Sequence, residues 1–237
     1  PLPVDANGQT NHDGTLFTPY EKLGCLLAAL LHDIDHPGTN NLFQIKTQSQ
    51  MALTYNDRKV LENNSASKGS IVIQDCFSFS INDQQFASAR QIFIRCVLRT
   101  DLASSQKFMG KVLGVADHID FNRPEHRSLA LEMLVLMGDL AFAIRPWEVA
   151  TYWYSMMRDE QLQQGDTERR LGLPVAPLMD RGQRNQKQNA NIIMWHFNEI
   201  VTKIFQTGLK LFPQFENELL EVISQNQTAA NVAAQKQ

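Results

Sequence analysis

From Leu23 to Leu31 every residue is apolar or small, and the run leads directly into His32-Asp33-Ile34-Asp35-His36-Pro37-Gly38. A helix start precedes it. Thr18 offers an N-cap hydroxyl, Pro19 stands where a missing N–H costs nothing, and Glu21 is placed to complete a capping box. A helix apolar on nearly every face is predicted to lie buried and to deliver His32 and Asp33 to the interior. Adjacent helical residues point about 100° apart, so both can lean on one ion placed off the helix end. Borderline divalent ions accept a neutral imidazole beside a carboxylate. The same string also suits a solvated helix C-terminus stopped by Pro37 and Gly38.

The rest of the chain reads as helices. Short helices are predicted over Asn40 to Gln50, Met51 to Asp57 and Val60 to Asn64, while residues 65–82 fit strand or loop equally. Phe86, Ala89, Ile92, Phe93, Cys96 and Val97 fall at helical spacing within Gln84 to Leu98. Residues 114–124 form a polar link, and an apolar helix follows from about Arg127 to Ile144. A further helix starts at Pro146 and closes near Gln164-Gly165-Asp166, and a final long one carries Ile192 to Phe205. Residues 1–17 read as an irregular lead-in, 18–224 as one domain, and 225–237 as a flexible tail. With almost no strand signal, the predicted class is all-α.

Within the apolar stretch 127–144 stands one carboxylate, Asp139. Burying it alone is costly. A metal shared with His32 and Asp33 would satisfy it, and so would a backbone N–H or Arg145. Glu62 and His36 are candidates for orienting a ligand or a bound water.

Bulk properties narrow the classes. A length of 237 residues with 43% hydrophobic content is enough for one sizeable core, and a net charge of −3 offers no basic field for nucleic acid. Cys25, Cys76 and Cys96 are odd in number and widely spaced, which fits a reduced compartment rather than a disulfide framework or a zinc knuckle. Leu26 to Leu31 is too short to span a bilayer, and the segment before it, with Lys22 as its single Lys or Arg, lacks the basic start of a signal peptide. A soluble, intracellular, cytoplasmic protein is expected.

The chain carries, in order, Ala28 to Gly38, Asn40-Asn41, Ala52 to Asp57, Val60 to Asn63, Thr100-Asp101, Asp139 with Pro146 behind it, and Gln164 to Glu168 leading to Gly172-Leu173 and Pro177. Taken together, these motifs resemble the catalytic domain of the class I cyclic nucleotide phosphodiesterases. The resemblance implies a compact multi-helix bundle of the phosphodiesterase or HD-domain type. It also implies hydrolysis of the cyclic phosphate of cAMP or cGMP to the 5′-monophosphate, with two divalent metals, a tight zinc and a looser magnesium or manganese. By position, His32, Asp33 and Asp139 would ligate metal, Asp33 touching both ions. Asp33, His36 and Glu62 would serve the reaction centre, and Thr100, Asp101, Phe142, Gln188 and Ile193 would face the substrate.

There are departures from the family pattern. Its His-Asn-x-x-His motif, which supplies a fourth ligand and the proton donor, would fall upstream of residue 1, and His12 lacks the partner histidine. Glu62-Asn63-Asn64-Ser65 replaces Glu-Asn-His-His, and Phe142-Ala143 replaces Asn-Pro. The purine-gripping glutamine and the stacking phenylalanine align to Ala190 and Ile193. A two-residue shift offers Gln188, with Asn191 in place of the aromatic. The alternative to an active enzyme is a degenerate relative that binds a nucleotide or partner without turnover.

Overall fold

A computed structural model describes residues 16–77 and 82–235. The described residues are helical and contain no strand, as expected. In chain order the helices are α1 (Pro19–Leu31), α2 (Asn41–Lys46), α3 (Gln50–Thr54), α4 (Val60–Phe77), α5 (Asp83–Val97) and α6 (Ser105–Ala116). They continue with α7 (Pro124–Asp139), α8 (Trp147–Arg170), α9 (Gln186–His196), α10 (Thr202–Leu209) and α11 (Glu216–Gln235). Contacts divide the chain into two units.

Of the described residues, the first unit takes 16–35, 61–139 and Ile204–Glu216. Its heart is α1 packed on α5, with α7 against both. Gly24 lets α1 approach closely, because a Cβ there would stand 2.9 Å from the Ile92 Cβ and overlap the Ala89 carbonyl oxygen. Ala28, Ile73, Phe93, Cys96, Leu131 and Val135 fill the shared core. Two charged contacts tie α7 into it. Glu132, 2% exposed, accepts from Arg95 Nε at 2.9 Å and from Arg99 Nε at 2.9 Å. Glu21 accepts from Arg127 Nε at 2.9 and 3.0 Å while its Oε2 also caps the Thr18 N–H at 2.8 Å. One carboxylate thus completes the predicted capping box and pins α1 to α7.

The second unit takes His36–Val60, Leu140–Lys203 and, of the described residues, 217–235. It is built on α8, where Gly165 gives Met179 room to approach, and where Gln164 donates to Glu168 at 3.1 Å and, through its Oε1, accepts from the Asn40 N–H at 2.8 Å. Tyr154, Leu162, Ala190 and Phe197 are among its buried residues.

Several expectations are corrected. Helix α1 is not buried all round: Leu26 and Leu30 are 69% and 78% exposed, because α5 and α7 together cover only one side. Residues 65–77, undecided in the sequence, extend α4; their small Gly69 lies against the Phe93 ring, a packing gain that local propensity does not report. Residues 78–81 lie outside the described residues. The helix expected over 127–144 begins at Pro124 and ends at Asp139, and Leu140–Ile144 tighten into a 3₁₀ segment ahead of Pro146. Helix α8 continues past Asp166 to Arg170. The last long helix is three pieces, with a π segment at Phe197–Val201 between α9 and α10. Residues 225–235, expected to fray, continue α11, because Asn226 donates to the Ala143 and Arg145 carbonyls at 2.9 and 2.8 Å and Ala230 is buried. The lead-in through residue 15, with His12, lies outside the described residues.

Candidate metal centre

The Glu21–Arg127 ion pair sets where α1 and α7 end relative to each other. From Glu21 the chain runs eleven residues to His32, and from Arg127 twelve to Asp139. At 1.5 Å per residue these spans are about 17 and 18 Å. The two helices leave a common point and finish level. Both C-termini therefore converge, each bringing the negative end of its peptide dipole.

His32 is the C-cap of α1, and its backbone N–H donates to the Ala28 carbonyl. Its ring Nδ1 lies 3.1 Å from the Ala29 carbonyl oxygen, which assigns the N–H to Nδ1 in the neutral imidazole. Nε2 then faces Asp139 Oδ1 at 3.4 Å and Asp33 Oδ2 at 3.6 Å. Ligand atoms of His32, Asp33 and Asp139 all lie within 4.8 Å of one another. Asp139 thus stands beside His32. The turn after the helix is held by Ser65 Oγ donating to the Ile34 carbonyl at 3.0 Å and by Lys68 Nζ 3.7 Å from Asp35 Oδ2. Asp35 adopts a left-handed backbone, φ 62°, which sends the chain away from the helix end.

The contact with Asp139 raises the His32 pKa to about 9. Burial opposes that rise, and the fields of Asp139 and Asp33 support it. The centre thus demands a positive charge, which a proton on Nε2 supplies in the absence of anything else. One nitrogen and two carboxylate groups suit a divalent cation of zinc or magnesium type, and the Nδ1–H contact to Ala29 is the outer support expected of a metal-ligating histidine. The donor set fits.

The other candidate residues have observable local roles. His36, exposed, accepts from the Gly38 N–H at 3.2 Å and shapes the turn at Pro37. Glu62 sits half-buried in the first turn of α4. Thr100 Oγ1 donates to the Val97 carbonyl, and Asp101 caps the 3₁₀ turn Leu102–Ser104. Among the described residues, His36, Glu62 and Asp101 are not members of the three-residue cluster.

In the second unit, Phe142 packs edge-on to Tyr154 with centroids 5.2 Å apart, and stacks on His196. Gln188 spends its carboxamide oxygen capping α9, accepting from the Asn185 N–H at 2.7 Å. Ile193 lines a cleft of about 140 Å³ with Tyr154, Arg158, Gln161, Arg184 and Asn189. The sequence analysis missed this cleft's polar wall. Arg184 donates to Asn189 Oδ1 at 2.6 Å, to Gln161 Oε1 at 2.8 Å and to the Leu178 carbonyl. Arg184 comes from an irregular loop, where no periodicity marks it. Tyr154 Oη meets His196 Nδ1 at 2.9 Å, and burial pushes the phenol pKa upward.

A family model described as 3′5′-cyclic nucleotide phosphodiesterase matches residues 6–222. The chain is 34% identical over 208 residues to the human high affinity cGMP-specific 3′,5′-cyclic phosphodiesterase 9A, covering 86% of this chain and 35% of that protein. It is 36% identical over 167 residues to the mouse dual specificity calcium/calmodulin-dependent 3′,5′-cyclic nucleotide phosphodiesterase 1B, covering 68% and 30%. The chain thus spans about a third of the length of these curated relatives. The crystal structure of the phosphodiesterase domain of the RhoPDE fusion protein from the choanoflagellate Salpingoeca rosetta superposes with a TM-score of 0.87 at 27% identity, covering 93% of this chain and 71% of that one. With the family model matching nearly the whole chain and the fold shared with a phosphodiesterase domain, the chain belongs to the 3′5′-cyclic nucleotide phosphodiesterase family.

Proposed function

We propose that the chain hydrolyses 3′,5′-cyclic nucleotides, cAMP or cGMP, to 5′-monophosphates in second-messenger signalling, using divalent metals held by His32, Asp33 and Asp139. The observation that carries this reading is the convergence of those three side chains, from two helix ends more than a hundred residues apart, within a chain of this family. Zinc is the natural tight ion for the imidazole and two carboxylates, with magnesium or manganese as the looser one. When bound, such ions offset phosphate charge and lower the pKa of water enough to make it a nucleophile.

The chain's own residues do the rest. The Ala29 carbonyl holds the His32 ring with Nε2 forward, and Asp139 anchors the pair from α7. Asp33, its side chain 65% exposed, keeps a carboxylate oxygen available toward solvent for a second ion. Glu62, His36, Thr100 and Asp101 are assigned to ordering water and ligands around the ions. Phe142, Gln188 and Ile193 are assigned to the nucleotide. For Ile193 the support is its place in the cleft, and for Phe142 its stacking on His196.

The test is hydrolysis of both nucleotides by the purified chain, with zinc plus magnesium or manganese, beside Asp33→Ala. Turnover falling by about 100-fold or more in the variant is expected. No turnover from the parent chain with zinc bound overturns the reading and leaves a binding module.

A further inference from the structure

Arg184 stands one residue before the N-cap of α9 and reaches three segments that wall the cleft of the second unit. Its Nε donates to Asn189 Oδ1 on α9 at 2.6 Å, and its Nη1 donates to Gln161 Oε1 on α8 at 2.8 Å and to the Leu178 carbonyl. A guanidinium has donors and no acceptor, so each amide must turn its oxygen toward Arg184 and its NH2 group away. Among the described residues, Asn189 Nδ2, Gln161 Nε2 and Arg184 Nη2 meet no acceptor. Arg158, a second guanidinium on the cleft, is paired with Asp159 at 2.8 Å, and no carboxylate lines the cleft among the described residues. Met157, Ile192 and Ile193 give it an apolar side. The polar wall therefore offers N–H groups to whatever enters.

We propose, on the cyclic nucleotide reading of the function, that Arg184 sets a preference for guanine over adenine by holding Asn189 and Gln161 with their donors toward the base. Guanine presents N7 and O6 side by side as acceptors, whereas adenine keeps N7 but carries an N6–H2 donor where guanine has O6. Guanine thus satisfies the wall. Adenine sets donor against donor, and N–H groups on both sides lose the water they had without gaining a partner. Arg184 acts on the base through its own Nη2 and, for the two amides, as a positioning residue. Without it each carboxamide is free to turn and present either its oxygen or its NH2 group, and the wall no longer distinguishes the two bases.

The experiment titrates the full chain, treated with chelator so that neither nucleotide is consumed, with cGMP and with cAMP by calorimetry. Affinity for cGMP about 10- to 100-fold above that for cAMP is expected. Gln161→Glu and Asn189→Asp each keep an oxygen on Arg184 and put a second oxygen where the NH2 group stood, so each should lower that ratio about tenfold, with cGMP weakened and cAMP strengthened. A general loss of folding or of cleft shape would weaken both nucleotides together. Arg184→Met should bring the two affinities toward parity, and Arg184→Lys should not restore the preference, because an ammonium lacks the fork that fixes both amides. The two amide variants keep the test decisive if the chain does not tolerate loss of Arg184. Equal affinities in the parent chain, a preference for cAMP, binding of neither nucleotide, or a ratio that Gln161→Glu and Asn189→Asp leave unmoved overturns the proposal. Hydrolysis with metals restored reports separately on the phosphodiesterase reading. Turnover with equal affinities leaves that reading in place and removes the role of Arg184, while cGMP-selective binding without turnover does the reverse.

Discussion

Replacing Asp139 with asparagine keeps the volume of the side chain and removes the charge that most strongly holds a proton on His32. That histidine's pKa is raised from 6.5 to about 9, with the Asp139 contact as the largest cause and Asp33 a lesser one. A group whose folded pKa lies above its unfolded value contributes stability that is complete below the unfolded pKa and lost as pH rises through the folded one. In the metal-free chain the window runs from about pH 6.5 to 9. At about 1.4 kcal/mol per pKa unit the full effect would exceed 3 kcal/mol. The exposure of Asp33 lets water screen the centre, so about 1–2 kcal/mol is the fair expectation. Urea denaturation of chelator-treated protein at several pH values in that window should show this loss in the parent chain and little of it in Asp139→Asn. The His32 ring protons should titrate back toward pH 6.5. Zinc affinity, measured by calorimetry, should fall at least about tenfold, or about 1.4 kcal/mol, with the helical circular dichroism preserved. A variant whose His32 titrates as before, or which binds zinc with unchanged affinity and stoichiometry, refutes both the electrostatic account and the ligand assignment.

Glu132→Ala leaves the Arg95 and Arg99 guanidiniums facing an empty core position and should cost about 3 kcal/mol in chemical denaturation, the low end for a buried pair because Arg95 can turn to water. Arg95→Ala should cost distinctly less, and equal losses would contradict a network centred on the buried carboxylate. Gly24→Ala gains about 1 kcal/mol of helix propensity but forces a methyl into the Ala89 carbonyl, so the net should be a loss of about 1–2 kcal/mol and a lower Tm. A raised Tm would mean that α1 and α5 are not in close contact at that point.

Local chemistry made much of this protein legible. Caps such as Thr18 with Glu21 act within four residues, and helical spacing in Phe86 to Val97 reports a single buried face, so class and most helix starts follow from the chain itself. His32, Asp33 and Asp139 stand out because charge in an apolar run is costly without a partner. What short windows cannot carry is pairing at a distance. The exposure of Leu26 and Leu30 depends on which neighbours cover α1, and the order of residues 225–235 depends on the carbonyls of Ala143 and Arg145 that Asn226 reaches. The wall made by Arg184 comes from a loop without period, so nothing in its own segment marks it. The sequence by itself determined which side chains could bind a cation. Their meeting was decided only in the folded chain, where Glu21 and Arg127 align two helices of nearly equal reach and bring their negative ends together around His32.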